Sequence, residues 1–125
     1  MTSRRGVVLV AVLLAGAATL AAATATLWMA SVHLAGVRWQ ERELHARAAG
    51  RAGVLRLRAW SEREGASGER WPDAPPWTWP DDAVGEGTTL RWARYRPLPG
   101  GGLDVEIEAH AHGATTIVGA RLPPP

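Results

Sequence analysis

Cysteine is absent from this chain, and with it every disulfide and every thiolate metal site. Phenylalanine is absent too and tyrosine occurs once, whereas tryptophan occurs seven times, so a soluble core has to rest on Trp, Leu, Val and Ile. Lysine is missing: all fourteen basic residues are Arg, offset by twelve acids for a net charge of +2. Arg and acid residues are interleaved, unlike the clustered basic patch of a nucleic-acid binder. Serine is confined to Ser3, Ser31, Ser61 and Ser67, none in a nucleophile-elbow context. Gly100-Gly101-Gly102 lacks the Lys-Ser/Thr that a phosphate loop requires. The chain therefore reads as non-enzymatic, with no cofactor and no metal. A small exported domain without disulfides needs support from a partner or a long helix.

What the chain does have is an uncharged run from Val7 to Ala30, directly behind Arg4, Arg5 and Gly6. Val8, Leu9, Val10, Val12, Leu13 and Leu14 dominate its first half; its second half is milder, rich in Ala and Thr, and closes on Leu27, Trp28 and Met29. As a helix rising about 1.5 Å per residue, the run reaches the roughly 30 Å needed to cross hydrocarbon. Arg4 and Arg5 favour a cytoplasmic N-terminus, which sets Trp28 near the outer interface and the rest of the chain outside. A removed signal peptide is a second reading: Ala21-Ala22-Ala23 and Ala23-Thr24-Ala25 both offer A-x-A cleavage sites. A plain single-span anchor is a third.

From Ser31 to about Glu64 the pattern turns amphipathic. Leu34, Val37, Leu44, Ala48, Leu55 and Ala59 recur at helical spacing and hold one face, interrupted by Glu41 and Arg51. No proline precedes Pro72, so nothing forces a break, and Gly50 and Gly53 are the expected kink. Gly65 is a natural stop. Residues 65–87 form a linker in which Pro72, Pro75, Pro76 and Pro80 interleave with Trp71, Trp77 and Trp79. Those indoles either pack as core or form an exposed platform for glycan or protein, and core packing is the preferred reading.

Residues 88–125 carry the strand signal. Leu103 to His112 alternates apolar and polar residues, the mark of a strand with one buried face. Thr88 to Arg96 reads as its partner, joined through Pro97 to Gly102, with a register that the sequence leaves open between Trp92 and Tyr95. A tight turn at His112-Gly113 leads into Thr115 to Leu122. Pairing Ala111 with Ala114 sets Ile107 against Val118, Val105 against Ala120 and Asp104 against Arg121. Trp92, Val105, Ile107 and Val118 are then the expected meander core. His110 and His112 would share a face with Glu106 and Glu108, either as a divalent-metal ladder or, by preference, as a solvated polar face. The expected fold is α+β: a long N-terminal helix, half transmembrane and half amphipathic, packed on a three-stranded antiparallel meander.

This layout resembles that of type IV pilin-like proteins. Arg4-Arg5-Gly6-Val7-Val8-Leu9-Val10-Ala11-Val12-Leu13-Leu14 resembles the class III leader of minor pilins and pseudopilins, in which a basic leader ends in Gly ahead of an apolar helix. His33-Leu34-Ala35-Gly36-Val37-Arg38 and Glu41 to Ala49 resemble the helix of PilX-like minor pilins. The resemblance implies a leader of residues 1–6 removed by a prepilin peptidase between Gly6 and Val7, and a transmembrane or filament-core helix over 7–30. That helix would include Val8, Leu9, Val10, Ala11, Leu13 and Leu14. It also implies an amphipathic continuation over 31–64. Major pilins usually carry Glu at the fifth mature position, where this chain has Ala11. The resemblance therefore implies a minor pilin or pseudopilin, an initiating or tip subunit of a type IV pilus, type II secretion or DNA-uptake filament. Its partners would be other pilins through the helix, the prepilin peptidase and the inner membrane. The contrasting expectation is a membrane-anchored extracytoplasmic binding module, or a secreted domain.

Overall fold

The abundance of Ala and Leu, and the lack of any proline before Pro72, let one helix, α1 (Ser3–Arg63), run for 61 residues. The computed structural model describes residues 3–63 and 70–125, so the expected stop at Gly65 lies outside the described residues. Three strands follow, β1 (Thr88–Pro97), β2 (Leu103–Ala111) and β3 (Ala114–Leu122), forming one antiparallel sheet in the order β1-β2-β3. The architecture is α+β. Two compact units divide after Arg38, the first helical over its described residues and the second holding the rest of α1 and the sheet.

In the second unit, α1 lies on one face of the sheet through Ala46, Ala49, Gly50, Gly53 and Leu57, all buried. The face expected from the large apolar residues is a different one: Leu44 and Leu55 are 64% and 61% exposed. Small residues make the contact because they let the helix backbone come close to the strands. Gly50 and Gly53 accordingly mark no break in α1. A Cβ on Gly53 would lie 3.1 Å from Cδ1 of Ile107 and 3.3 Å from Cδ1 of Leu90. One on Gly50 would overlap the Val118 side chain. The expected kink is instead the closest approach of helix to sheet.

Strand β2 follows its alternation without exception: Leu103, Val105, Ile107, Ala109 and Ala111 are buried and the residues between them are not. The β2–β3 register pairs Ala111 with Ala114, Ile107 with Val118, Val105 with Ala120 and Asp104 with Arg121, as the sequence pattern predicts. His112 and Gly113 both take positive φ, 50° and 82°, the backbone a two-residue hairpin needs to match strand twist. Val105 and Ile107 are fully buried, whereas Trp92 and Val118 are half-buried at the two outer strands.

The open register of β1 resolves through a bulge. Trp92 pairs with Ile107, Arg94 with Glu106 and Tyr95 with Val105, leaving Ala93 without a partner. Trp92 and Tyr95 are three residues apart, so a regular strand would send them to opposite faces. One extra residue returns both to the core side. The same shift keeps Arg94 outside, 3.3 Å from Glu106.

Candidate functional site

Over its described residues the first unit offers a helix surface. Val7, Val8, Leu9, Val10, Leu13 and Leu14 are all more than half exposed, and Ala11 is exposed beside them. α1 is long and apolar enough near its N-terminus to cross a membrane, with none of that apolar stretch buried. Hydroxyls inside the run are satisfied locally. Thr19, Thr24 and Thr26 each donate to the carbonyl four residues back, on Ala15, Leu20 and Ala22, at 2.8 Å. Ser31 Oγ donates to Trp28 O at 2.7 Å. In hydrocarbon an unpaired hydroxyl costs several kcal/mol, so this back-bonding is what makes a Thr-rich segment compatible with lipid. The polar residues that dilute the second half of the run are thereby masked.

In the second unit the back of α1 keeps Leu44, Ala48 and Leu55 turned away from the sheet, with Arg51 breaking the stripe. Glu43 accepts from Arg47 at 2.8 Å, one turn on. The stripe is the face the sequence singled out. It is an exposed surface, and the sheet is held by its opposite.

The Trp/Pro segment is part of the core. Trp71 is buried and stacks on Trp60 with ring centroids 6.0 Å apart, and its Nε1 donates to Pro123 O at 2.9 Å. Trp77, Trp79, Trp92 and Tyr95 continue the layer with successive centroid distances of 5.2, 4.9 and 5.8 Å. Trp92 Nε1 donates to Trp77 O at 2.8 Å, and the Arg56 guanidinium covers Trp77 and Trp79 at 5.7 and 5.8 Å. This layer takes the place of the missing phenylalanines. Among the described residues, Nε1 of Trp77, Nε1 of Trp79 and the Tyr95 hydroxyl are buried without a hydrogen-bond partner.

Burial, reinforced by the charge of Asp73, pushes the Tyr95 phenol up to about 12. Its protonated form is thus favoured by folding. Stability from this group is complete below pH 10, the unfolded value, and is lost as pH rises from 10 towards 12. A tyrosinate titration at 295 nm should give a midpoint near 12 in the folded chain, falling to about 10 in denaturant. Because the hydroxyl has no partner, Tyr95→Phe should leave the melting temperature unchanged or slightly raised.

The two histidines expected on one strand face separate. His110 pairs with Glu108 and Thr115 on β2's wet side. His112 leaves the strand at the turn, where its ring meets that of His45 edge-on at 5.7 Å. No group of three His, Cys, Asp or Glu able to hold a metal occurs among the described residues. An open cavity of about 420 Å³ beside the β1–β2 loop carries mixed charge, Arg70 and Arg96 with Asp73. It brings together no nucleophile and base. Comparison with protein-family models, with curated proteins and with solved structures finds no match.

Proposed function

We propose that this chain is a minor pilin or pseudopilin-like structural subunit, working by assembly through its helix. It would serve a type IV pilus, type II secretion or DNA-uptake filament at an initiating or tip position. The observation that carries this reading is the division of labour along α1. Its apolar first part buries nothing, and its later part uses one face for the sheet while leaving Leu44, Ala48 and Leu55 outside. A helix needed only as an anchor has no use for an apolar back beyond the membrane. A subunit that packs among parallel helices does. Ala15, Gly16, Ala17, Ala18, Ala21, Ala22 and Ala23 would permit close approach of neighbouring helices in place of lipid.

In this reading the chain is made as a single-span inner-membrane protein, N-terminus inside and sheet outside, and a prepilin peptidase removes residues 1–6. It performs no catalysis and binds no nucleic acid directly. The test is the N-terminal sequence and intact mass of membrane-extracted protein from cells with and without a prepilin peptidase. A peptidase-dependent start at Val7 is the expected result. A start near Thr24 or Thr26 means a signal peptide and a released domain, and an uncleaved N-terminus means an anchored binding module. Either sinks the filament assignment.

A further inference from the structure

The cavity of about 420 Å³ beside the β1–β2 loop has the size of a small-molecule pocket, and its wall is rigid. Leu98 N donates to Gly102 O at 2.8 Å and Gly101 N to Leu98 O at 3.0 Å, so the loop closes on itself. Gly101 takes a φ of 88°, and a Cβ on Gly102 would lie 2.9 Å from Leu122 O, so this closure requires both glycines. Pro97 and Pro99 stiffen the same wall. Trp71 completes it, held by its stack on Trp60 and its hydrogen bond to Pro123 O.

Arg70, Arg96 and Asp73 are the ionic side chains lining the cavity. Among the described residues, Arg96 and Asp73 make no ion pair, although Arg96 stands opposite Asp104 in the strand register. Two guanidiniums outweigh one carboxylate, so the cavity favours an anion, and the planar fork of Arg fits a carboxylate or a phosphate. Asp73 chooses between them. It repels a phosphate dianion more than a carboxylate, and as a pure acceptor it needs donors that a phosphate dianion lacks. A peptide backbone finds little to pair with: Pro97 and Pro99 carry no N–H, and those of Leu98 and Gly101 are taken within the loop. The rest of the wall is apolar and matches the C–H face of a sugar ring.

We infer that this cavity binds an acidic sugar residue of the uronate kind. Arg70 and Arg96 take its carboxylate, Asp73 accepts from its hydroxyls, and Leu98 with the two prolines meets its C–H face. The site belongs entirely to the second unit, so it does not depend on the filament reading and holds equally for an anchored chain.

The test is isothermal titration of the full-length protein in a polyoxyethylene detergent, which carries neither a sugar nor a phosphate headgroup. Glucuronate should bind saturably and at least about tenfold more tightly than glucose, acetate or inorganic phosphate, the factor that one charge-assisted hydrogen bond supplies. Methyl glucuronide should bind as well as the free acid, because an open cavity accepts a residue at the end of a glycan. Binding of the free acid alone keeps the site and makes its ligand a free sugar acid. Arg96→Gln should weaken glucuronate about tenfold or more. Asp73→Asn should weaken glucuronate while strengthening acetate and phosphate, a reversal that a change in folding does not produce. Both side chains are exposed, so the melting temperature should stay where it is. The inference is overturned if glucuronate binds no better than acetate or glucose, if phosphate binds more tightly, or if Arg96→Gln changes nothing. Tighter binding of N-acetylaspartylamide, a peptide carboxylate with N–H donors, also overturns it, by pointing to an acidic peptide.

Discussion

Replacing Gly50 with leucine should detach the helix from the sheet and lower the melting temperature by on the order of 10–20 °C. A single added Cβ already overlaps the Val118 side chain and lies 3.7 Å from the Cβ of Ala109. Alanine at this position gains about 1 kcal/mol of helix propensity, but forcing a β-branched neighbour aside costs about 1–3 kcal/mol, so Gly50→Ala should be a net loss. Leucine adds three more carbons where there is no room for one. Thermal unfolding of the full chain in detergent, followed by near-ultraviolet dichroism of the tryptophans, reads the effect. Two companions make the result specific. Gly50→Ala combined with Val118→Ala should recover most of what Gly50→Ala loses, a non-additivity expected of residues in contact. Gly53→Ala should cost less than Gly50→Ala, because its nearest neighbours are the side-chain ends of Ile107 and Leu90, at 3.1 and 3.3 Å, which need to give only slightly. Equal losses at both glycines would contradict the close approach assigned to Gly50.

Trp71→Ala should cost about 3–5 kcal/mol, the range for deleting a large buried aromatic side chain. Trp71 is 4% exposed, lies against Trp60 at an interplanar angle of 28° and holds Pro123 by its indole N–H. Removing it would open the layer between α1 and the chain's last residues and leave the Pro123 carbonyl unpaired. Trp71→Phe keeps most of the aromatic contact and loses the donor, so its cost should be smaller, about 1–2 kcal/mol. Near-ultraviolet dichroism again gives the measure, with the stacked pair expected to lose its signal in the alanine variant. A neutral Trp71→Ala would return the Trp/Pro segment to the role of a surface platform.

The sheet was legible because each of its signals has a local cause. Alternation over Leu103 to His112 reflects the pleat, and His112-Gly113 reflects the backbone of a tight turn, so the β2–β3 register follows from the chain itself. The helix's existence was legible for the same reason, since no proline precedes Pro72 and apolar residues abound. Its orientation was not. A search for a buried face looks for a stripe of large apolar side chains, and here the buried face is mostly small, Ala46, Ala49, Gly50 and Gly53 with Leu57, while Leu44 and Leu55 stand outside. The Ala93 bulge left no mark of its own. It could be found only by requiring Leu90, Trp92 and Tyr95 to share a face, which is a tertiary demand. His112 escaped its expected face because the turn that it helps to form redirects it. The helix surface put forward as the assembly site was thus written in the sequence as a stripe, but its meaning depended on knowing which face the sheet had taken.

The hydroxyls of Thr19, Thr24 and Thr26 have a consequence that concerns transfer between solvents. Each is closed onto the helix's own backbone, so the segment carries a complete set of hydrogen-bond partners wherever it goes. Moving it from lipid into a bundle of like helices changes its van der Waals neighbours and leaves its polar inventory untouched. The exchange then turns on packing alone, between two surroundings of nearly equal polarity, and can run in either direction.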